Sequence, residues 1–350
     1  MHTDVAVVGA GVVGLSIAYE ARRAGAEVVC LDPTPGAVQS AGHGRIFRLT
    51  HDAPAAVTRA RSALEGWSRW ESAFARPLVD HCGCVVVGDD ARAHADAITA
   101  AQADARFDRD GARLGIDDAL RVGGWSTLLD PAGGVIDAVP VIESLRSQVR
   151  PRPAVVSGIE ADGRTARLAL ADGDVVTAEQ VVVAAGVSTP TLTSGSGPEV
   201  PASPLYRHAR FTVRPAGPLR GLAHVFLDRR RSLPSGWSFY GLPLPGGLIA
   251  IGGGWGESPF PEGATTPETV RDASWQQVQA WLAAHGEHDP DVLDTVECVH
   301  PRAAGPDDPY AFGRRGTVLA IHGQDLFKFA PQIGADAAAL LARRDVVSDS

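Results

Sequence analysis

The first 32 residues restrict the fold more than any other stretch of the chain. Val5–Val8 is an apolar run of strand length, followed by Gly9-Ala10-Gly11-Val12-Val13-Gly14. Leu15–Ala24 then has helical spacing without a breaker, and Gly25 ends it. Val28–Leu31 is a second strand run closing on Asp32. Each part has a physical task. Gly9 makes the tight turn, Gly11 lets backbone N–H groups approach a pyrophosphate, and Gly14 lets the helix pack on the strand. The helix N-terminus turns unpaired donors and the positive end of its dipole toward that pyrophosphate. Asp32 is placed to accept hydrogen bonds from the ribose hydroxyls of an adenosine. A glycine-rich turn alone would be weak evidence. Strand, turn, helix, strand and acid together specify an adenine dinucleotide site. Gly9, Ala10, Gly11, Val12, Val13, Gly14 and Asp32 are its candidate residues.

At 350 residues the chain has room for about two domains with sizeable cores. Its 32 basic against 41 acidic residues leave a net charge of −9, which argues against phosphate-backbone binding as its main task. No apolar run approaches a membrane span, and the first strand begins so close to Met1 that no signal peptide is expected. The four cysteines at 30, 82, 84 and 298 do not make a disulfide framework, so a reducing cytoplasm is the expected location. Cys82 and Cys84 lack the second pair or histidines that a metal site needs, and no metal is expected; they are read as facing opposite sides of a strand.

The organisation is α/β without internal repeats. Val57, Ala60, Leu64, Trp67 and Phe74 recur at helical spacing before Pro77, and Cys84–Val87 reads as a strand ending at Gly88. The charged, Ala-rich segment 89–130 is predicted helical. Gly134–Asp137 leads into a helix over Val139–Val149, and Ala166–Leu170 turns at Asp172-Gly173-Asp174 into a hairpin. Gln180–Val183 is a buried parallel strand ending in the small residues Ala184, Ala185 and Gly186, where a cofactor can approach the backbone. Ser194–Pro198 reads as a loop. Strands of a second sheet are expected near 207–215, 237–243 and 247–254, and a helix over Thr266–His285 with Val270, Val278, Trp281 and Leu282 inward. His285 and His288, at its polar end, are expected to be solvated. Thr317–Ile321 reads as the last strand and Pro331–Arg343 as a terminal helix with proline in its first turn. Nucleotide-type strands at both ends and in the middle predict a discontinuous dinucleotide domain (1–80, 134–204 and 300–350). The inserted α+β substrate domain (81–133 and 205–299) would stand on a mixed sheet.

Val5 through Ser16 resembles the opening of the D-amino-acid-oxidase superfamily of FAD enzymes. Gly42-His43-Gly44-Arg45-Ile46-Phe47-Arg48 is similar to the segment after the second strand in the branch of monomeric sarcosine oxidase and N-methyltryptophan oxidase. Gly134–Ile136, Tyr206-Arg207, Tyr240-Gly241-Leu242-Pro243 and Phe327-Lys328-Phe329 follow in that family's order, so the resemblance spans nearly the whole chain. It implies a Rossmann-like FAD domain of the glutathione-reductase type. The implied reaction is oxidation of the C–N bond of an amino acid by hydride transfer to flavin, the resulting imine being hydrolysed. N-substituted glycines and secondary or cyclic imino acids are the implied substrates, and O2 or another acceptor takes the electrons.

Residue by residue, the resemblance assigns the substrate carboxylate to Arg48 and Lys328, a cation pair suited to fixing an anion. Lys328 is the only lysine in the chain. Arg45 matches the arginine beside the flavin ring, and Cys298 falls where the family attaches FAD through a thioether. Ser40, Gly44, Val156, Ala185, Gly186, Gly323, Gln324, Phe327 and Lys328 complete the implied cofactor contacts. His300, Asp325 and Tyr240 are candidates for contacting the amine or the side chain. The departures concern the other end of the substrate. The family's oxygen-activating lysine aligns with Ala250, with Ile249 as the position one residue away. Its active-site histidines fall on Gly252–Gly254 and on Asp325, and a tyrosine becomes His300. Three alternatives follow: a dehydrogenase of the same fold using another acceptor, a NAD-dependent dehydrogenase, and a non-catalytic flavoprotein subunit of a larger oxidase.

Overall fold

The computed structural model describes all residues except 38, 117, 202, 231–237, 255–259, 261–264, 302–308 and 344–350. For His300 and Pro301 it describes the backbone and not the side chain. β1 (His2–Val8) runs through the glycine turn into α1 (Val12–Arg23) and β2 (Val28–Leu31). β3 (Arg45–Phe47), α2 (Pro54–Phe74) and β4 (Val79–Asp80) follow. Then come β5 (Cys84–Gly88), α3 (Ala91–Ala100), β6 (Arg106–Asp108) and β7 (Thr127–Asp130). β8 (Gly134–Ile136) enters α4 (Ala138–Val149), and β9 (Val156–Ala161), β10 (Ala166–Leu170) and β11 (Val175–Val183) precede α5 (Thr189–Thr193). The remainder is β12 (Leu205–Arg214), β13 (Val225–Arg229), β14 (Phe239–Leu244), β15 (Leu248–Gly253), α6 (Pro267–Ala284) and β16 (Asp291–Pro301). The chain closes with β17 (Tyr310–Arg315), β18 (Val318–Gly323) and α7 (Ala330–Ala342).

Two mixed sheets carry the fold. In the first, β2, β1, β11 and β18 are parallel neighbours, with β17 antiparallel on β18 and β9–β10 folded back onto β11. Helices α4 and α7 pack against α1 on this side. The second sheet runs β16-β12-β15-β14-β13-β5-β7-β6 and is antiparallel except where β13 meets β5. A small sheet, β3-β8-β4, lies apart from both. One apolar cluster joins Leu15, Trp67, Phe329 and Ile333 to Leu242 and Ala250, so it reaches from α1 and α7 to the second sheet. The opposite face of that sheet, with Phe211, Ile249 and Ile251, packs on Val278, Trp281 and Leu282 of α6. Among the described residues no helix is long and apolar enough to cross a membrane.

Three expectations change. Only Ala91–Ala100 of segment 89–130 is helical. Glycines 111, 115 and 124 take positive φ and break the pattern, and Thr127–Asp130 is drawn into the sheet as a buried partner of β5. Cys82 and Cys84 do not share a strand: β5 starts at Cys84, after Gly83 at φ 86°. His285 is buried rather than solvated. Its ring stacks on Trp281 at 3.8 Å, and its Nε2 meets the Arg230 guanidinium at 2.9 Å.

Candidate active site

The glycine turn lies at the C-terminal ends of β1, β2 and β11, the edge at which open α/β sheets bind ligands. Gly9 has φ 102°, and a Cβ there would collide with the Ala184 carbonyl. A Cβ on Gly14 would strike the Gly9 carbonyl, which is the close helix-on-strand packing that only glycine permits. Gly11 differs. A Cβ there would meet only Ser40 Oγ, at 3.2 Å, and Gly11 gives α1 no side-chain cap. Gly186, just beyond β11, faces open space. Ala10 N–H donates to Asp32 Oδ2 at 2.7 Å and Val12 N–H to Ser40 Oγ at 2.9 Å, so both side chains stand at the turn. A glycine cradle open at Gly11 and Gly186, with an acid at the end of β2, fits an adenine dinucleotide. Ala185 is part-buried beside an apolar cluster of the first sheet that includes Val8, Leu31, Val183 and Ala320, and Val156 is buried within it. Val13 is part-buried against the main cluster.

Arg45 folds back on its own loop. Its guanidinium donates to the carbonyls of Gly44 at 2.9 Å, Gln39 at 3.1 Å and Ala41, and lies over the Phe327 ring at 5.3 Å. Burial, helped by Arg210, pulls its pKa down to about 10. Arg210 of β12, which the sequence reading missed, donates to the carbonyls of Gly44 and His43 at 2.9 Å each. It thereby ties the loop to the second sheet. Gly44, at φ 67°, sits so close to Leu242 and Leu244 that a Cβ there would overlap them.

Arg48 and Lys328 come together from opposite ends of the chain. Arg48 is 9% exposed, and its guanidinium donates to Thr50 Oγ1 at 3.3 Å. Lys328 is 6% exposed, in the 3-10 turn Leu326–Phe329, with Nζ 3.6 Å from Asp325 Oδ2. Burial pulls the Lys328 pKa down to about 8; Asp325 pulls it up, and Arg48 is close enough to push it down. Burial also lowers the pKa of Arg48. Trp67 Nε1 donates to the Lys328 carbonyl at 2.9 Å and fixes the turn to α2. Asp325 itself takes a left-handed φ of 56°, and Gln324 N–H donates to the Pro309 carbonyl at 3.1 Å just after Gly323. Buried Asp130 holds the backbone beside Arg48 by accepting from Leu49 N–H at 2.6 Å, and burial raises its carboxyl to about 6.

A third group lies on the second sheet. Tyr240 Oη and His208 Nε2 are 3.1 Å apart, and Cys298 on β16 pairs in register with His208 on β12. Burial raises the Cys298 thiol, and Arg210 and Arg45 oppose that rise. Burial pushes the Tyr240 phenol up as well, with Cys298 adding to it. His300 pairs with Tyr206 through the backbone, and its side chain lies outside the described residues. Ala250 is fully buried in the cluster shared with Tyr240 and Leu242, whereas Ile249 faces the other core, so the alignment to Ala250 is the one on the site's side.

A family model described as DAO, FAD dependent oxidoreductase, matches residues 4–340. Among curated proteins none matches the chain. Several solved structures share the fold. NikD, an unusual amino acid oxidase essential for nikkomycin biosynthesis, is 22% identical with a TM-score of 0.79, over 100% of this chain and 95% of that one. Glycine oxidase from Geobacillus kaustophilus is 18% identical with a TM-score of 0.79, over 99% and 96%. L-proline dehydrogenase from P. horikoshii is 16% identical with a TM-score of 0.80, over 98% and 94%. With residues 4–340 matched and its glycine cradle, acid and second sheet in place, the chain belongs to the D-amino-acid-oxidase family of FAD-dependent oxidoreductases.

Proposed function

We propose that this protein oxidises the C–N bond of an amino acid, with N-substituted glycines and cyclic imino acids as its substrate class. The carrying observation is the pair Arg48 and Lys328, two buried cations close enough to act on each other. Arg48 bonds a hydroxyl at 3.3 Å and Lys328 lies 3.6 Å from one partly exposed carboxylate, while the Asp130 and Asp52 carboxylates act on Arg48 without bonding its guanidinium. Buried charge of one sign is costly unless an anion compensates it, and a substrate carboxylate is the anion that fits. Arg48 and Lys328 fix that carboxylate and with it the direction of the Cα–H bond, while Tyr240 and Asp325 contact the amine and side chain. FAD, when bound, supplies the hydride acceptor. We assign it to the unit 1–80, 134–204 and 300–350, and the substrate to 81–133 and 205–299. The test is anaerobic titration. Sarcosine, proline or a close relative is expected to bleach the flavin, and the corresponding decarboxylated amine is not. Equal bleaching by the decarboxylated amine would remove the carboxylate from the mechanism.

Covalent attachment through Cys298 is part of the same proposal; burial raises its thiol, and Arg210 and Arg45 oppose that rise from beside it. Flavin colour is expected to stay with the acid-precipitated pellet and to move to the supernatant in Cys298→Ala. Free FAD released from the unmodified protein would make Cys298 structural.

The dehydrogenase reading is favoured by Ala250. Negative charge develops when reduced flavin passes an electron to O2, and a fixed cation nearby stabilises it. Apolar Ala250, between Ile249 and Ile251, offers none. Substrate is expected to reduce the flavin faster than air reoxidises it, and Ala250→Lys to speed reoxidation. Stopped-flow reoxidation as fast as reduction would assign oxygen activation to another group.

A further inference from the structure

The patch around Arg48 and Lys328 holds a buried group that the carboxylate reading leaves without a task. His51 lies three residues beyond Arg48, its ring 5.5 Å from that of Phe329. Its Nε2 is buried and has no hydrogen-bond partner. The Arg48 backbone acts on the ring so as to favour its N–H, and in the tautomer protonated on Nδ1 the unpartnered Nε2 is an acceptor. Burial first, then Arg48 and Lys328, hold the imidazole well below its usual pKa, so the ring is neutral at pH 7. The other groups that face it are His94 of α3 and, beside it, Asp52; Arg229 of β13 and Asp325 act on the same patch.

An amino acid arrives as a zwitterion. Its carboxylate suits the two cations, but its ammonium must shed a proton before the nitrogen lone pair can assist loss of hydride from Cα. A neutral acceptor nitrogen placed beside the carboxylate clamp is the group for that step. We propose that His51 is the base that deprotonates the bound substrate. The N–H bond of the ammonium breaks, an Nε2–H bond forms, and the amine keeps the electron pair; no oxidation occurs in this step. His94, whose Nδ1 is buried and unpartnered and whose Nε2 is 2.6 Å from Asp52 Oδ1, is the neighbouring titratable ring that acts on His51. The Asp52 side chain is 76% exposed. The proposal rests on the amino-acid reading and adds a coupling to it. In the free protein Arg48 and Lys328 suppress the basicity of His51. A carboxylate between them offsets their part of that effect, burial being the larger part, so the substrate's own acid group raises the proton affinity of the base.

The experiment uses FAD-loaded protein and (methylthio)acetate, a carboxylate with no amine. Calorimetry at pH 6 in two buffers of different ionisation enthalpy counts the protons taken up on binding. Lys328, at about 8, is already charged at that pH. Asp130, at about 6, contributes alike in all variants, so the difference between proteins is the reading. Binding is expected to be accompanied by proton uptake that shrinks in His51→Asn and His51→Gln while affinity for the analogue is kept. With an amino-acid substrate, both variants are expected to reduce flavin roughly a hundredfold more slowly at pH 7, recovering as pH approaches the substrate amine's own pKa. If the analogue binds all three proteins and the pH profiles of reduction superimpose, His51 is not the base and the carboxylate reading stands. If the variants lose analogue binding along with reduction, His51 is structural and the proposal is overturned. If even the unmodified protein ignores the analogue, the carboxylate reading fails and takes the proposal with it.

Discussion

Arg48→Ala and Lys328→Met are each expected to cut the rate of flavin reduction per unit of substrate by a factor of roughly 30 to 4,000. That range is the 2–5 kcal/mol typical of removing one charged partner from a buried, hydrogen-bonded pair. The two variants differ in their pH profiles. In the free protein Lys328 is charged below about 8, against an ordinary lysine value of 10.5. Substrate capture therefore falls as pH rises through 8, and this limb is absent in Lys328→Met. Stability moves the opposite way. A lysine pKa lowered on folding means the unfolded chain binds the proton more tightly, so the buried cation opposes folding at pH 8 and below. The effect is on the order of 3 kcal/mol and disappears as pH rises from 8 to above 10.5. Lys328→Met is therefore expected to melt higher than the parent at pH 7 while losing capture of substrate, the exchange of stability for function common at active sites. Unchanged steady-state and anaerobic kinetics in both variants would end the clamp.

Gly14→Ala is expected to yield a protein that retains little FAD and melts lower. On an exposed helix the change would stabilise by about 1 kcal/mol, because alanine has the better helical propensity. Here the new methyl would collide with the Gly9 carbonyl, backbone against which no side chain can yield. Overpacking of a core costs typically 1–3 kcal/mol, enough to reverse the sign. α1 must lift from β1, and its first turn then leaves the position at which Gly11 and Asp32 frame the dinucleotide. Flavin content after purification and the thermal midpoint measure the two effects. A higher midpoint with full flavin content would show that the helix has slack at this contact.

What the sequence made legible was local. The glycine turn, Asp32 and helices α1, α2, α4, α6 and α7 are written in spacing and breakers that act within a few residues. Arg106–Asp108 and Thr127–Asp130 were not readable, because short strands draw their conformation from neighbours far along the chain, here β5 and β7. The same limit hid parts of the site. Arg210 matters through carbonyls 166 and 167 residues away, and His51 through its placement against Lys328 and Phe329, which no spacing announces. That Arg48 and Lys328 lie near each other follows from no spacing, and only the family resemblance pointed to the pair. His285 was misjudged because its sequence surroundings are polar, whereas burial comes from Trp281 one turn earlier and Arg230 from another segment.

The seclusion of the chain's only lysine also bears on proteolysis. A lysine-specific protease has a single peptide bond to cut, the one after Lys328. That bond lies in a buried turn, and its carbonyl is held by the Trp67 indole at 2.9 Å. Cleavage there requires the contact between α2 and the start of α7 to open. A population cut once is thus a count of molecules in which α2 and the start of α7 have parted, read from the mass of two fragments.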